Sequence, residues 1–246
     1  MGQFDNKVVV ITGATSGIGE ATAKQFAEES GTVVLLGRNL TKGKKIVSDI
    51  ISQGGKASFI RCDVTDECSV KEAAEKVEIE FKKVDVLFNN AGVMLPSKEI
   101  ENTEIEDWKK TFEVNLDGVF YVTRNFKKLI YKCKGCIINN ASIAGMHSYV
   151  TGRSYAYSAS KSAVIQFTRQ MAKNYASDGI RVNCICPGII DTPILGDRDR
   201  KVYAERIPLG YVGKPEDVAN VVVFLASEKA SYLTGVVLPV DGGGAL

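Results

Sequence analysis

The sequence predicts an α/β protein: a doubly wound sheet of seven mainly parallel strands with helices on both faces. Two observations carry this. Short β-branched runs alternate with longer amphipathic stretches along all 246 residues, the pattern of repeated βαβ units. Several runs are also almost continuously apolar, as strands covered on both faces must be. The predicted strands are Lys7–Thr12, Thr32–Gly37, Lys56–Arg61, Val84–Asn89, Gly135–Asn140, Ile180–Cys186 and Val236–Val240. Between them the spacing of apolar residues predicts helices over Gly17–Ser30, Thr41–Gln53, Asp66–Phe81, Thr103–Tyr131, Ser154–Ser177 and Pro215–Ala226. Each helix supplies a right-handed crossover. No repeat, low-complexity tract or linker interrupts the series, so residues 1–246 are expected to form one domain. The longest irregular piece runs from Pro187 to Lys214, and loops of that length inside compact domains are usually functional.

Composition narrows the classes. Apolar residues make up 45% and charged residues 24%, ordinary globular usage that suggests neither disorder nor a fibre. The net charge of +2, without a basic run interleaved with aromatics, argues against nucleic acid as a partner. No apolar stretch is long enough to span a bilayer, and the opening residues lack the marks of a targeting segment. A cytoplasmic protein with no membrane partner is expected. Of six cysteines, Cys133 and Cys136 have CxxC spacing, but one such pair cannot close a tetrahedral metal site, so no metal is expected. Cys184 and Cys186 alternate along a predicted strand and read as small buried hydrophobes.

The first strand runs directly into Thr12-Gly13-Ala14-Thr15-Ser16-Gly17-Ile18-Gly19, which opens a helix. Glycines let the backbone approach a pyrophosphate, and the helix N-terminus offers free N–H groups and a favourable dipole. Gly13, Thr15, Ser16, Gly17, Ile18 and Gly19 are the candidate contacts. An acidic residue at the end of the second strand would bind adenosine ribose hydroxyls and repel a 2′-phosphate. Here the strand ends in Gly37-Arg38, and Arg38 is suited to clamp a phosphate, so NADP(H) is preferred over NAD(H). The alternative for Arg38 is stacking on adenine or pointing into solvent. Asp63, followed by Val64, stands where an adenine amino group could be bound, or it caps the helix starting near Asp66. Asn89-Asn90-Ala91-Gly92 ends the fourth strand, at the carboxyl edge where ligands bind in such sheets; a simple turn is the alternative.

Tyr157 and Lys161 are four apart in a predicted helix and share a face. A free tyrosine is a poor base at neutral pH, but a nearby ammonium favours the phenolate. The fifth strand leads into Ser142, whose hydroxyl could bond a substrate oxygen. Asn115 lies mid-helix, where its amide is a poor helix former and could open the helix to a water.

These motifs, with Pro187-Gly188-Ile189-Ile190-Asp191-Thr192, occur in the order and approximate spacing of the short-chain dehydrogenase/reductase family, which the sequence resembles along its whole length. The resemblance implies a single Rossmann-type domain and a catalytic tetrad of Asn115, Ser142, Tyr157 and Lys161. Tyr157 would exchange the proton, Ser142 polarise the carbonyl, Lys161 lower the tyrosine pKa and hold the nicotinamide ribose, and Asn115 keep a relay water. By the same resemblance Ile18 lies under the nicotinamide, Asn90 lines the ribose side beside Ala91 and Gly92, and Ile190 and Thr192 hold the carboxamide and pyrophosphate next to Pro187 and Gly188. The tail Val240-Asp241-Gly242-Gly243 resembles one that packs between subunits, and a homotetramer is implied.

Ser142 and Tyr157 are two residues further apart than is usual for that family, so Gly145–Ser154 holds an apparent insertion. Candidate substrate contacts are Ser142, Ala144, His147, Tyr149, Tyr157 and Ile194. The apolar content of these segments suits a hydrophobic alcohol or ketone, steroid- or acyl-like. Trp108 reads as a packing residue at a helix start. The run Asp197–Lys201 reads as a solvated helix face, with binding of an acidic substrate tail as the alternative. The competing function is a non-catalytic nucleotide-binding scaffold or redox sensor on the same fold; epimerase or dehydratase chemistry is a further rival.

Overall fold

The computed structural model describes residues 2–95, 99–147, 154–196 and 199–246. Seven strands, β1 (Val8–Thr12), β2 (Thr32–Gly37), β3 (Lys56–Arg61), β4 (Val86–Asn89), β5 (Cys136–Asn140), β6 (Arg181–Pro187) and β7 (Val237–Val240), form one sheet in the order β3-β2-β1-β4-β5-β6-β7. Every pairing in it is parallel. Strand order reverses between β1 and β4, and such a switch point opens a crevice at the carboxyl ends of its two strands.

The run Val-Val-Val-Ile-Thr of β1 shows why the strands carry no polar alternation. Val8 and Val10 point into one core layer, Val9 and Ile11 into the other. Helices α3 (Glu67–Phe81), α5 (Gly118–Tyr131) and α6 (Tyr155–Tyr175) cover the first face, burying side chains such as Val70, Val77, Phe126 and Met171. Helices α1 (Gly17–Glu28), α2 (Leu40–Ser52) and α8 (Pro215–Ala226) cover the second, with Phe26, Ile46 and Val222. Cys184 and Cys186 of β6 are fully buried among apolar side chains. The CxxC cysteines diverge: the Cys133 Sγ faces the Val84 carbonyl and the Cys136 Sγ the Leu225 carbonyl.

Two expectations are corrected. The predicted helix Thr103–Tyr131 is three pieces: α4 (Ile105–Phe112), a π-helical turn over Glu113–Asp117, and α5. Trp108 sits within α4, more than a third exposed, against the Phe112 ring 5.0 Å away. The segment after β6 is also less irregular than its sequence suggests. It contains a 3₁₀ turn at Pro193–Leu195 and the short helix α7 (Arg200–Ala204), and Ile190 bridges to Gly213.

Candidate active site

The glycine turn, Arg38, Asp63, Asn90, Ser142 and Gly188 follow the carboxyl ends of strands, while Asn115, Tyr157 and Lys161 come from helical segments. After β1 the chain turns at Gly13 with φ of +61°, a conformation L side chains rarely adopt. Ser16 then precedes α1 in extended conformation and makes no side-chain capping bond. In contrast, α2 is capped by Asn39, which accepts from Lys42 N at 3.0 Å, and α3 by Asp66, which accepts from Cys68 N. The α1 terminus thus presents its first-turn N–H groups to the crevice, the arrangement that suits a phosphate.

Asp66, not Asp63, caps α3. Asp63 instead accepts from the Thr65 N–H at 3.1 Å and the Thr65 hydroxyl at 2.9 Å. Burial works to raise its pKa, but those bonds and the nearby Arg38 and Lys110 cations hold it below its ordinary value. Arg38 is exposed at the rim of the same cleft.

That cleft, about 340 Å³, runs from the glycine loop past Arg38, Asp63 and Val64 to Ala91, Gly92 and Thr192. A second, about 470 Å³, holds Ser142, Tyr157, Lys161, Pro187, Gly188 and Ile190. Ile18, Asn90, Gly92, Asn140, Thr192 and Ile194 form the wall common to both. Gly19 lines neither cleft: its α-carbon packs so tightly on the Gly13 carbonyl that a Cβ would overlap it. Ala144, buried, and His147, exposed, also stand outside both clefts. Tyr149 and most of the apparent insertion lie outside the described residues.

Within the second cleft, burial pushes the Tyr157 phenol above its ordinary pKa, and a hydrogen bond from the Ser142 hydroxyl pulls the other way. Ser142 is held by the Ala144 N–H, which donates to its Oγ at 3.2 Å. Lys161 is 3% exposed, and burial pushes its ammonium down to about 8. Its Nζ lies 5.7 Å from the Tyr157 ring centre and donates to the Asn140 carbonyl at 2.7 Å.

Asn115 explains the π turn. Its side chain, fully buried, accepts from Val93 N at 2.8 Å and donates to Val93 O at 3.0 Å, and it donates to the Ser160 hydroxyl at 3.1 Å. The helix widens where that amide turns inward to pair with the segment after β4, consistent with π turns marking sites where a regular ladder is interrupted. A methyl group added to Gly92 would stand 3.4 Å from both the Asn115 Oδ1 and the Lys161 Nζ, so both crowd the same spot.

Two residues escaped the sequence reading. The Thr12 hydroxyl accepts from Asn90 N and Ala91 N at 2.9 and 3.0 Å, fixing the turn after β4. Asn140 is the junction of the site. The Asn90 Nδ2 donates to the Thr12 and Gly13 carbonyls, so its Oδ1 must face a donor, and the Asn140 Nδ2 supplies one at 2.9 Å. This leaves the buried Asn140 Oδ1 without a partner among the described residues, a cost usually avoided in a core. A polar residue at a strand end was the available signal. Replacing Asn140 by leucine removes the donor to Asn90, and cofactor affinity is expected to fall about tenfold, because a buried acceptor is left unpaired; equilibrium titration of the variant checks this.

Comparison with known proteins identifies the family. A family model described as enoyl-(acyl carrier protein) reductase matches residues 13–244. The chain belongs to the short-chain dehydrogenase/reductase family and is an oxidoreductase of that family. It is 39% identical over 244 residues to meso-2,3-butanediol dehydrogenase of Serratia marcescens, covering 98% of this chain and 95% of that protein. It is 40% identical over 245 residues to 3-oxoacyl-[acyl-carrier-protein] reductase FabG of Thermotoga maritima, covering 98% of each. A short-chain type dehydrogenase/reductase structure from Mycobacterium marinum superposes with a TM-score of 0.94 at 30% identity, covering 98% of this chain and 96% of that one.

Proposed function

We propose that this protein transfers a hydride between NADP(H), with NAD(H) as the weaker alternative, and a hydrophobic secondary alcohol or ketone. The observation that carries the reading is the wall common to the two clefts. It joins the phosphate-binding turn to the pocket holding Ser142, Tyr157 and Lys161, so a dinucleotide in one cleft would end where those side chains converge. The chain fits the dinucleotide on two counts: an uncapped helix N-terminus at the glycine turn, and a cleft wall there formed by Gly13 and Gly17, which put no side chain into it. The nicotinamide supplies or accepts the hydride when bound.

The side chains do the rest. Tyr157 moves the proton between its phenol and the substrate oxygen, acting as acid in reduction and base in oxidation. Ser142 donates to the same oxygen as charge develops on it. Lys161, charged at neutral pH, favours the phenolate that burial opposes and presents N–H groups to the ribose. Asn115 holds the π turn and the Val93 backbone against α6, keeping room for a relay water. Ile190 and Thr192, which line the clefts after β6, would help hold the dinucleotide there. The names of the relatives, a diol dehydrogenase and a 3-oxoacyl reductase, fit a small or acyl-like carbonyl compound. One domain carries both functions, as a homotetramer in the cytoplasm; six free cysteines suit a reducing compartment.

The test is a fluorescence titration with NADPH and NADH, followed by a ketone screen with each. NADPH is expected to bind about tenfold tighter, and Arg38→Ala to erase most of that preference, since a charge-assisted fork to a phosphate is worth roughly that factor. Tighter NADH binding would overturn the Arg38 assignment; binding of neither would overturn the dehydrogenase reading.

A further inference from the structure

We infer that the substrate carries an anionic group, a carboxylate or phosphate, on the end of an otherwise apolar skeleton, and that Arg206 receives it. The inference rests on the reading of the second cleft as the substrate site. Much of that cleft is apolar, with Met94, Ile143, Ile194 and Leu195 among its walls. Two cations line it, Lys161 and Arg206, and no carboxylate does so among the described residues.

Their situations differ. Lys161 is engaged with the Asn140 carbonyl, deep beside Tyr157. The Arg206 guanidinium is exposed on the cleft rim, just beyond α7, and among the described residues no side-chain hydrogen bond, ion pair or ring contact engages it. Arg200, on α7 itself, shows what a satisfied arginine looks like here: it pairs with Asp191 at 2.8 Å. The anchoring of Arg206 is nonetheless firm at the backbone. Its N–H bonds the Tyr203 carbonyl, and the next residue, Ile207, is buried.

A guanidinium unpaired among the described residues, beside apolar walls, is a poor partner for a plain hydrocarbon. Its five donors match the geometry of a carboxylate or phosphate, and seating an apolar skeleton beside it excludes water from the resulting pair. The reacting carbinol would sit at Tyr157 and the anion at the rim, which fixes the direction in which the substrate lies. An exposed arginine gains little from a loose ion pair, so the preference depends on both ends being held at once.

The experiment compares oxo acids of increasing chain length with their methyl esters, and with phosphate esters of the matching hydroxyketones. For each, kcat/KM is measured with NADPH and NADH, and binding by calorimetry. One or more lengths are expected to show roughly tenfold preference for the anionic form over the neutral ester, as for a hydrogen bond to a charged group. Arg206→Gln should bring that ratio close to one, Arg206→Glu should invert it, and Arg206→Lys should retain part of it. A phosphate-only preference would assign the anion to a phosphorylated carrier group, a carboxylate preference to a free acid. Equal handling of anion and ester at every length, or a preference that survives Arg206→Gln, would overturn the inference. If no carbonyl is turned over with either cofactor, the dehydrogenase reading fails, and the calorimetric ratio still decides whether Arg206 selects anions.

Discussion

Replacing Tyr157 by phenylalanine is expected to cut turnover by about 10²- to 10⁴-fold, the range for losing a general acid/base, while cofactor affinity changes by less than about fivefold. The substitution removes one oxygen from a half-buried ring and leaves the rest of the cleft wall intact. Burial favours the neutral phenol and the Ser142 hydrogen bond opposes it; on the proposed mechanism the Lys161 charge further favours the phenolate needed for alcohol oxidation. The sign of the pH effect follows. Lys161→Met removes that charge and leaves burial opposed only by the Ser142 hydrogen bond, so the ascending limb of kcat/KM for oxidation should move to higher pH by about one unit or more. In the wild type the ammonium, pushed down to about 8, is charged at neutral pH and loses its proton above that point. A limb at the same pH in wild type and Lys161→Met would contradict the role given to Lys161.

Gly19→Ala sets two effects against each other. In an ordinary helix the change favours folding by up to about 1 kcal/mol. Here the new methyl would overlap the Gly13 carbonyl and stand 2.6 Å from the Asn90 Nδ2, and neither neighbour can retreat without breaking the bond between them. Overpacking of this kind costs about 1–3 kcal/mol, so the clash wins. Melting temperature is expected to fall by several degrees, about 2–4 °C per kcal/mol for a chain of this size, and cofactor binding to weaken about tenfold or more. Calorimetric unfolding and a cofactor titration check the two arms. A more stable variant would show that the loop has room the structure does not reveal.

Much of the architecture was legible in the sequence because it is local. Uninterrupted β-branched runs announce strands covered on both faces, and β2 and β3 begin and end where the pattern says. The first residues of other predicted strands fall outside the assigned ladder by one or two positions, a matter of where pairing starts. That the long helix opens at Asn115 was legible from its weak helix propensity, but the form of the break was not, because the partner of that amide, the Val93 backbone, lies 22 residues upstream. Asn140 was missed for the same reason. Its importance comes from Asn90 and Lys161, brought beside it by the end of β4 and by α6. The glycine turn, Ser142 and the Tyr157/Lys161 pair were legible since their spacing is set within one turn or one helix.

The amide chain from Gly13 through Asn90 to Asn140 has a bearing on how the protein matures. Its bonds span 77 and 50 residues of sequence, so they form only after β4 has inserted beside β1 and β5 has followed. Contacts this distant are made late and slowly, since the chain must close large loops before they are rewarded. A dinucleotide that requires the completed turn would therefore bind only finished molecules. By mass action it would shift the population toward them, making the cofactor pool of the cell a determinant of how long each chain survives proteolysis.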